Sequence, residues 1–265
     1  MMRRITLLLV VSFLAVSCGG DEPAAATDRL LVAAASDLRP AFEELGERFT
    51  AETGVPVGFD FGSSGQLAQR LIEGAAFDLY ASANVAFVDQ VLAEGVGDAA
   101  TRRTYAFGRL VIWAPQERWA GWERLEDLAE DEGVVTLAIA NPEHAPYGAA
   151  AQEALRATGT LEAVRGRLVY GENISDTQRL VETGNADVGI LALSLAVAAD
   201  ERGVGRWVLV DEDLHDPLQQ ELVVTANDQD RAALARGFVD LVDGEEGRAV
   251  MRRFGFLLPG DEAPS

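Results

Sequence analysis

The 265-residue chain contains no lysine: all 22 of its basic residues are arginine, set against 43 acidic residues, for a formal net charge of -21. So acidic a surface argues against nucleic acid and anionic lipid head groups as partners, because such polyanions draw their affinity from basic side chains. A small anion is not excluded, since charges farther off than about 8 Å are screened in physiological salt. Its donors would have to be arginine, hydroxyls or backbone amides. Cysteine is almost as scarce. Cys18 stands alone, which excludes an internal disulfide and a cysteine-ligated metal cluster. His144 and His215 are the only histidines, and without a neighbouring ligand pair at helical spacing neither reads as a metal site. His144 reads instead as a loop residue that orders its turn. No Gly-x-Ser-x-Gly elbow, Walker loop or dinucleotide fingerprint occurs, and the chain does not read as an enzyme. The acidic clusters Glu43-Glu44, Glu130-Asp131-Glu132 and Asp211-Glu212-Asp213 lack the alternating oxygens of a calcium loop and read as solvated faces. Trp113, Trp119 and Trp122 read as packing residues.

What is present is ordinary in amount: 48% hydrophobic and 25% charged residues, in a length sufficient for one large or two modest domains. The amino terminus is different. Met1-Met2-Arg3-Arg4 is a short basic start, residues 5–16 are an apolar run too short to span a bilayer comfortably, and Ser17-Cys18-Gly19-Gly20 closes it. This resembles a bacterial lipoprotein signal over residues 1–17, cleaved before Cys18, whose thiol then takes the lipid. Ala15 occupies the slot where a leucine usually stands, and plain secretion is the alternative. Residues 18–28 read as a tether. In either case the mature chain works outside the cytoplasmic membrane, periplasmic or lipid-anchored.

Beyond the tether, apolar runs predict strands over 30–35, 55–61, 78–81, 134–140, 167–170, 187–191, 206–210 and 218–226. A longer strand-like run over 105–114 is broken by Gly108-Arg109. Helical spacing places Leu38, Phe42, Leu45 and Phe49 on one face, ended by Gly54, and predicts further helices over 85–92, 147–157, 176–183, 193–199, 230–242 and 245–254. Strands alternating with helices imply an α/β fold with mostly parallel sheets flanked by helices. The long run and the late return at 218–226 suggest two lobes, the first built from 29–107 plus 222–258 and the second from 108–221, with 259–265 as a tail. No internal repeat is visible.

In such sheets ligands sit outside the carboxyl ends of the strands, where helices begin. Four strand-to-helix turns have small or polar mouths. Asp60-Phe61-Gly62-Ser63-Ser64-Gly65-Gln66-Leu67 pairs Ser63 with Gln66 at capping-box spacing, and Gly171-Glu172-Asn173-Ile174-Ser175-Asp176-Thr177-Gln178 pairs Ser175 with Gln178 likewise. Ala33-Ala34-Ala35-Ser36-Asp37-Leu38 and Asn141-Pro142-Glu143-His144-Ala145-Pro146-Tyr147-Gly148 repeat the pattern. The first amides of a helix lack internal partners and sit at the positive end of its dipole, so several such turns together suit an anion.

These four stretches, with the closing Arg253-Phe254-Gly255-Phe256, resemble the periplasmic molybdate-binding proteins of ABC importers, in the family's order and over about residues 30–257. The resemblance implies a two-lobed periplasmic binding protein of type II-like fold that closes on molybdate or tungstate, needs no cofactor, and presents its ligand to an ABC permease as a monomer. It implies that Ser36 and Ser64 each give a hydroxyl and an amide, while Tyr147 and Ile174 give amides. Ser63 would then be the cap beside the ligand. One branch of the family supplies a tyrosine hydroxyl where this chain has Ala192; in another a tyrosine stands at the position of Tyr147, whose phenol would take that role. Asp37 departs from a site for a dianion, and its amide is expected to face the ligand while its side chain turns away. Another oxyanion, such as sulfate, thiosulfate or phosphate, is the alternative on the same fold.

If Cys18 carries the lipid, Cys18→Ser moves the protein from the membrane fraction to the soluble extracytoplasmic fraction. Equal partitioning of both forms on fractionation would instead fit plain secretion.

Overall fold

The computed structural model describes residues 29–261. The signal segment, the tether with Cys18, and residues 262–265 of the tail lie outside the described residues. Ten strands follow in chain order: β1 (Leu30–Ala35), β2 (Val57–Gly62), β3 (Leu79–Ser82), β4 (Arg103–Gly108), β5 (Leu110–Ala114), β6 (Leu137–Ala140), β7 (Leu168–Gly171), β8 (Val188–Ala192), β9 (Arg206–Leu209) and β10 (Leu218–Val224). They form two five-stranded sheets, ordered β2-β1-β3-β10-β4 and β7-β6-β8-β5-β9. In the first, β2, β1 and β3 are parallel and β10 runs against both β3 and β4. In the second, β7, β6 and β8 are parallel and β5 runs against both β8 and β9. The two sheets therefore share one pattern of strand directions, although the antiparallel fourth strand comes last in the chain order of the first lobe and first in that of the second.

Each sheet carries helices on both faces. After a 3₁₀ turn at Ser36–Leu38 come α1 (Arg39–Thr53), α2 (Ser64–Ile72), α3 (Val85–Ala93), α4 (Leu125–Glu130), α5 (Pro146–Ala157), α6 (Leu161–Val164), α7 (Ile174–Glu182), α8 (Leu193–Glu201), α9 (Gln229–Asp243) and α10 (Glu245–Arg253). The pleat of β1 shows the layering directly: Val32 and Ala34 enter the main core, whereas Ala33 enters a smaller cluster with Leu67, Leu71, Tyr80 and Val91. In α1 a proline in the first turn and Gly54 at φ +74° set the two ends. The short helices α4 and α6 were not foreseen, because one turn or so of helix shows no readable period.

The break at Gly108-Arg109 separates the two sheets: β4 belongs to the first and β5 to the second. A Cβ at Gly108 would lie 2.0 Å from the Tyr147 hydroxyl, so the crossing can run this close only without a side chain. The return crossing is made by residues 210–217, and the whole of β10 lies in the first sheet; the lobe boundary expected between 221 and 222 falls inside that strand. The carboxyl-terminal segment closes over the crossing, where Phe107 and Leu257 exchange backbone hydrogen bonds of 2.7 and 3.1 Å.

An aspartate enters the third parallel strand of each lobe and ties it to the first. Asp78 Oδ2 accepts the Leu31 amide at 2.7 Å, and Asp187 Oδ2 accepts the Thr136 amide at 2.8 Å. Each is also paired with an arginine, Arg231 and Arg118 respectively. The first lobe's core is aromatic: Phe42 lies 6.0, 6.2 and 5.5 Å from the rings of Phe59, Tyr105 and Phe238. Phe42→Ala would leave a fully buried cavity among these rings and is expected to lower the unfolding free energy by about 3–5 kcal/mol. Chemical denaturation checks this, and an unchanged midpoint would contradict the packing described.

Candidate functional site

Parallel pairing puts Ala35 opposite Gly62 and Ala140 opposite Gly171, so that β1 ends level with β2, and β6 with β7. The segments that follow begin side by side. From the first lobe these are the Ser36–Leu38 turn and α2, and from the second α5 and α7. Their starts meet around one buried cavity of about 10 Å³, lined by Ser36, Asp37, Ser63 and Ser64 with Ala35, Gly62 and Ala83 on one side. Ala145, Pro146, Tyr147, Asn173 and Ile174 line the other. Organic-ligand clefts are typically about 300–1,000 Å³, so the lobes as closed here leave only a small enclosed space, about that of one water.

The donors are hydroxyls and amides. Ser64 Oγ accepts the Ala83 amide at 3.0 Å, which leaves its own proton for another acceptor, and the Ser64 carbonyl is held by the Tyr80 hydroxyl at 2.7 Å. Ser36 Oγ donates to Asn173 Oδ1 at 3.0 Å and accepts the Ser175 amide at 3.3 Å across the cleft. Ser64, Tyr147 and Ile174 lie in the first turns of α2, α5 and α7, where helix geometry gives their amides no intrahelical acceptor. No arginine lines the cavity. Among the described residues no group of three or more histidine, cysteine, aspartate or glutamate side chains is placed to hold a metal ion.

The two expected capping boxes are not formed. Ser63 is the N-cap residue of α2, yet its hydroxyl crosses the cleft to the His144 carbonyl and lies 2.9 Å from His144 Nδ1. Gln66 reaches Glu172 at 3.0 Å instead of turning back on its own helix. In α7 the cap is Asn173, whose Oδ1 accepts the Asp176 amide at 3.0 Å; Ser175 sits inside the helix and donates to the Ser36 carbonyl at 3.0 Å. Polar side chains that could cap locally have the facing lobe within reach, and take it. His144 is thus more than a turn-ordering residue, since its carbonyl also accepts the Gly65 amide at 3.0 Å.

Asp37 is fully buried. Its Oδ2 accepts the Tyr147 hydroxyl at 2.9 Å and Gln220 Nε2 at 2.7 Å, so the Tyr147 phenol, read as a possible ligand donor, is committed to Asp37. Burial pushes the Asp37 carboxyl up to about 6, against the opposing pull of hydrogen bonds from Gln220, Tyr147 and nearby amides. Burial and then the Asp37 charge hold the Tyr147 phenol well above its ordinary range. The stability that Asp37 contributes is therefore full below its unfolded value and is lost as the pH rises through about 6, where the ionised form must be buried. Ala192 caps α8 at the end of β8 and is buried, but it does not line the cavity; from the same turn Ser194 donates to the Asp37 carbonyl at 2.7 Å. Asn173 carried a local signal, because asparagine is a strong N-cap. Gln220 carried none, lying 183 residues from the carboxylate it binds.

Gly65 lies where the lobes touch. A Cβ there would come within 2.9 Å of both the His144 carbonyl oxygen and the Phe87 ring. Gly65→Ala is expected to hold the lobes apart, seen as a larger radius of gyration in small-angle scattering; an unchanged radius would remove this contact from closure.

A family profile for the bacterial extracellular solute-binding proteins matches residues 30–257. A molybdate-binding protein ModA of Rhodobacter capsulatus is 33% identical, over 95% of this chain and 97% of that protein. One from Azotobacter vinelandii is 31% identical over 89% and 92% of the two chains. The solved structure of an Azotobacter vinelandii periplasmic molybdate-binding protein superposes with a TM-score of 0.80 at 26% identity, covering 87% of this chain and all of that one. With its paired sheets and the cavity between them, the chain belongs to the bacterial extracellular solute-binding proteins and, among these, to the ModA family, which binds solutes rather than transforming them.

Proposed function

We propose that this protein captures molybdate or tungstate between its lobes, outside the cytoplasmic membrane, and delivers it as a monomer to an ABC permease. The observation that carries the reading is the cavity itself: small, buried, and lined from both lobes by hydroxyls and helix-start residues with no arginine. Ser64 offers a hydroxyl and an amide; Ser36 offers an amide and a hydroxyl that would leave Asn173 Oδ1 for the anion; Tyr147 and Ile174 offer amides, and Ser63 and Asp37 stand beside them. Tungstate, the permease and a lipid on Cys18 are part of the proposal. They draw on the sequence motifs and on the relatives' names, one of which is a putative ABC transporter substrate-binding lipoprotein of Bacillus subtilis.

Neutral donors suit a tetrahedral dianion. Each hydrogen bond to a charged oxygen contributes about 1.5–3 kcal/mol, and closure removes the competing water. Donors drawn from both lobes give the closed form the greater affinity, which is the condition for a ligand to drive closure. Molybdate and sulfate share charge and shape, so cavity size decides between them. Sulfate, thiosulfate or phosphate on the same donors is the second reading.

A tight ligand raises the melting temperature by mass action, so a panel of these anions ranks them directly. Molybdate and tungstate are expected to give the largest shifts. Ser64→Ala removes a donor, and also the acceptor of the buried Ala83 amide; in a variant shown by its melting curve to be folded, the molybdate Kd is expected to rise about 10- to 150-fold in calorimetry. An unchanged Kd would take Ser64 out of the site, and stabilisation by sulfate alone would favour the second reading.

A further inference from the structure

Asp37 is the one carboxyl among the cavity-lining residues, and its two oxygens are in different situations. Oδ2 accepts from Tyr147 and Gln220. Oδ1 is buried without a hydrogen-bond partner. No cation compensates it. Charged side chains on the elements packed against the Ser36–Leu38 turn are engaged elsewhere: Arg39 of α1 with Glu43, Asp60 of β2 with Arg70, and Asp176 of α7 with Arg179. From α8 it is the neutral Ser194 that faces this turn. The titratable groups facing Asp37 are the phenols of Tyr147 on α5 and Tyr105 on β4, both held well above their ordinary range. His144, against Ser63 on the far side of the cavity, is the remaining titratable side chain close by.

An ionised carboxylate and a dianion cannot share so small a space without a countercharge, because Coulomb repulsion is strong where water is excluded. We infer that Asp37 enters the complex as the neutral carboxylic acid, with its Oδ1–H as an added donor to the anion, so that each dianion captured brings one proton from solvent. This deepens the oxyanion reading above and rests on it. The proton balance is simple: free carboxylate, dianion and one proton give a complex of net charge two units more negative than the protein with neutral Asp37. Below about pH 6 the free carboxyl already carries the proton, and binding takes up none. Above it the proton must be supplied, and the apparent Kd rises about tenfold per pH unit.

The test is calorimetric titration of the wild-type protein with sodium molybdate between pH 6.0 and 8.5, in paired buffers of different ionisation enthalpy. The expected result is uptake of close to one proton per anion at pH 8, with the tenfold-per-unit slope in Kd. Asp37→Asn, which keeps a donor without a titrating proton, is expected to flatten the slope, and His144→Gln to keep it. Binding with no proton uptake at pH 8 would overturn the inference while leaving the oxyanion reading intact. So would a slope that survives in Asp37→Asn or disappears in His144→Gln. No heat at any pH would overturn the oxyanion reading, and this inference with it.

Discussion

The cavity depends on the parallel pairing of β1 with β2 and of β6 with β7. Register fixes Ala35 beside Gly62 and Ala140 beside Gly171, so each lobe ends two strands at the same height. A slip of one residue would move a helix start by about 3.3 Å and send every side chain of the strand to the wrong face. The aspartates at the entrance to β3 and β8 act against such a slip, since each fixes the third strand against the first by side-chain and backbone bonds together. Two crossings of the chain then turn the strand ends of one lobe toward those of the other.

The polar groups at that meeting place divide into two classes. The serine hydroxyls and first-turn amides are neutral, and no arginine is among the residues that line the cavity. Asp37 belongs to the other class. Tyr147 and Gln220 bind one of its oxygens and so tie the 3₁₀ turn of the first lobe to α5 of the second and to β10. A carboxyl that holds the lobes together when they close is also the group whose charge opposes the ligand, and one proton reconciles the two.

Much of this was legible in the sequence, where the signal was local. Apolar runs, helical spacing and terminal glycines place every strand and all the longer helices, and the strand-to-helix turns point to the ends of the sheets where the cavity lies. Boundaries drifted where two residues competed for one role. The helix expected from 176 begins at Ile174, because Asn173 and not Ser175 is its cap. The capping boxes failed for a related reason: spacing records which partners are near along the chain, and cannot record that the opposing lobe brings better ones. The same blindness hid His144 and Gln220. The shared strand pattern of the two sheets was invisible as well, since it requires only apolar strands at matching places in the sheet and not the same residues. The ligand roles proposed for Tyr147 and Ile174 were not legible in the residues themselves; they rest on the family resemblance, because a backbone amide leaves no mark on residue type.

The lack of arginine in the cavity bears on how cargo is let go. An ion pair decays slowly with distance, as the inverse of the separation, and a guanidinium would keep pulling on a departing anion through a partly opened cleft. Hydrogen bonds from hydroxyls and amides fail within a fraction of an ångström beyond their working length and with modest misalignment. A grip made only of such groups has no long tail: parting the halves slightly releases the ion almost all at once, and whatever prises them apart need do no more than that.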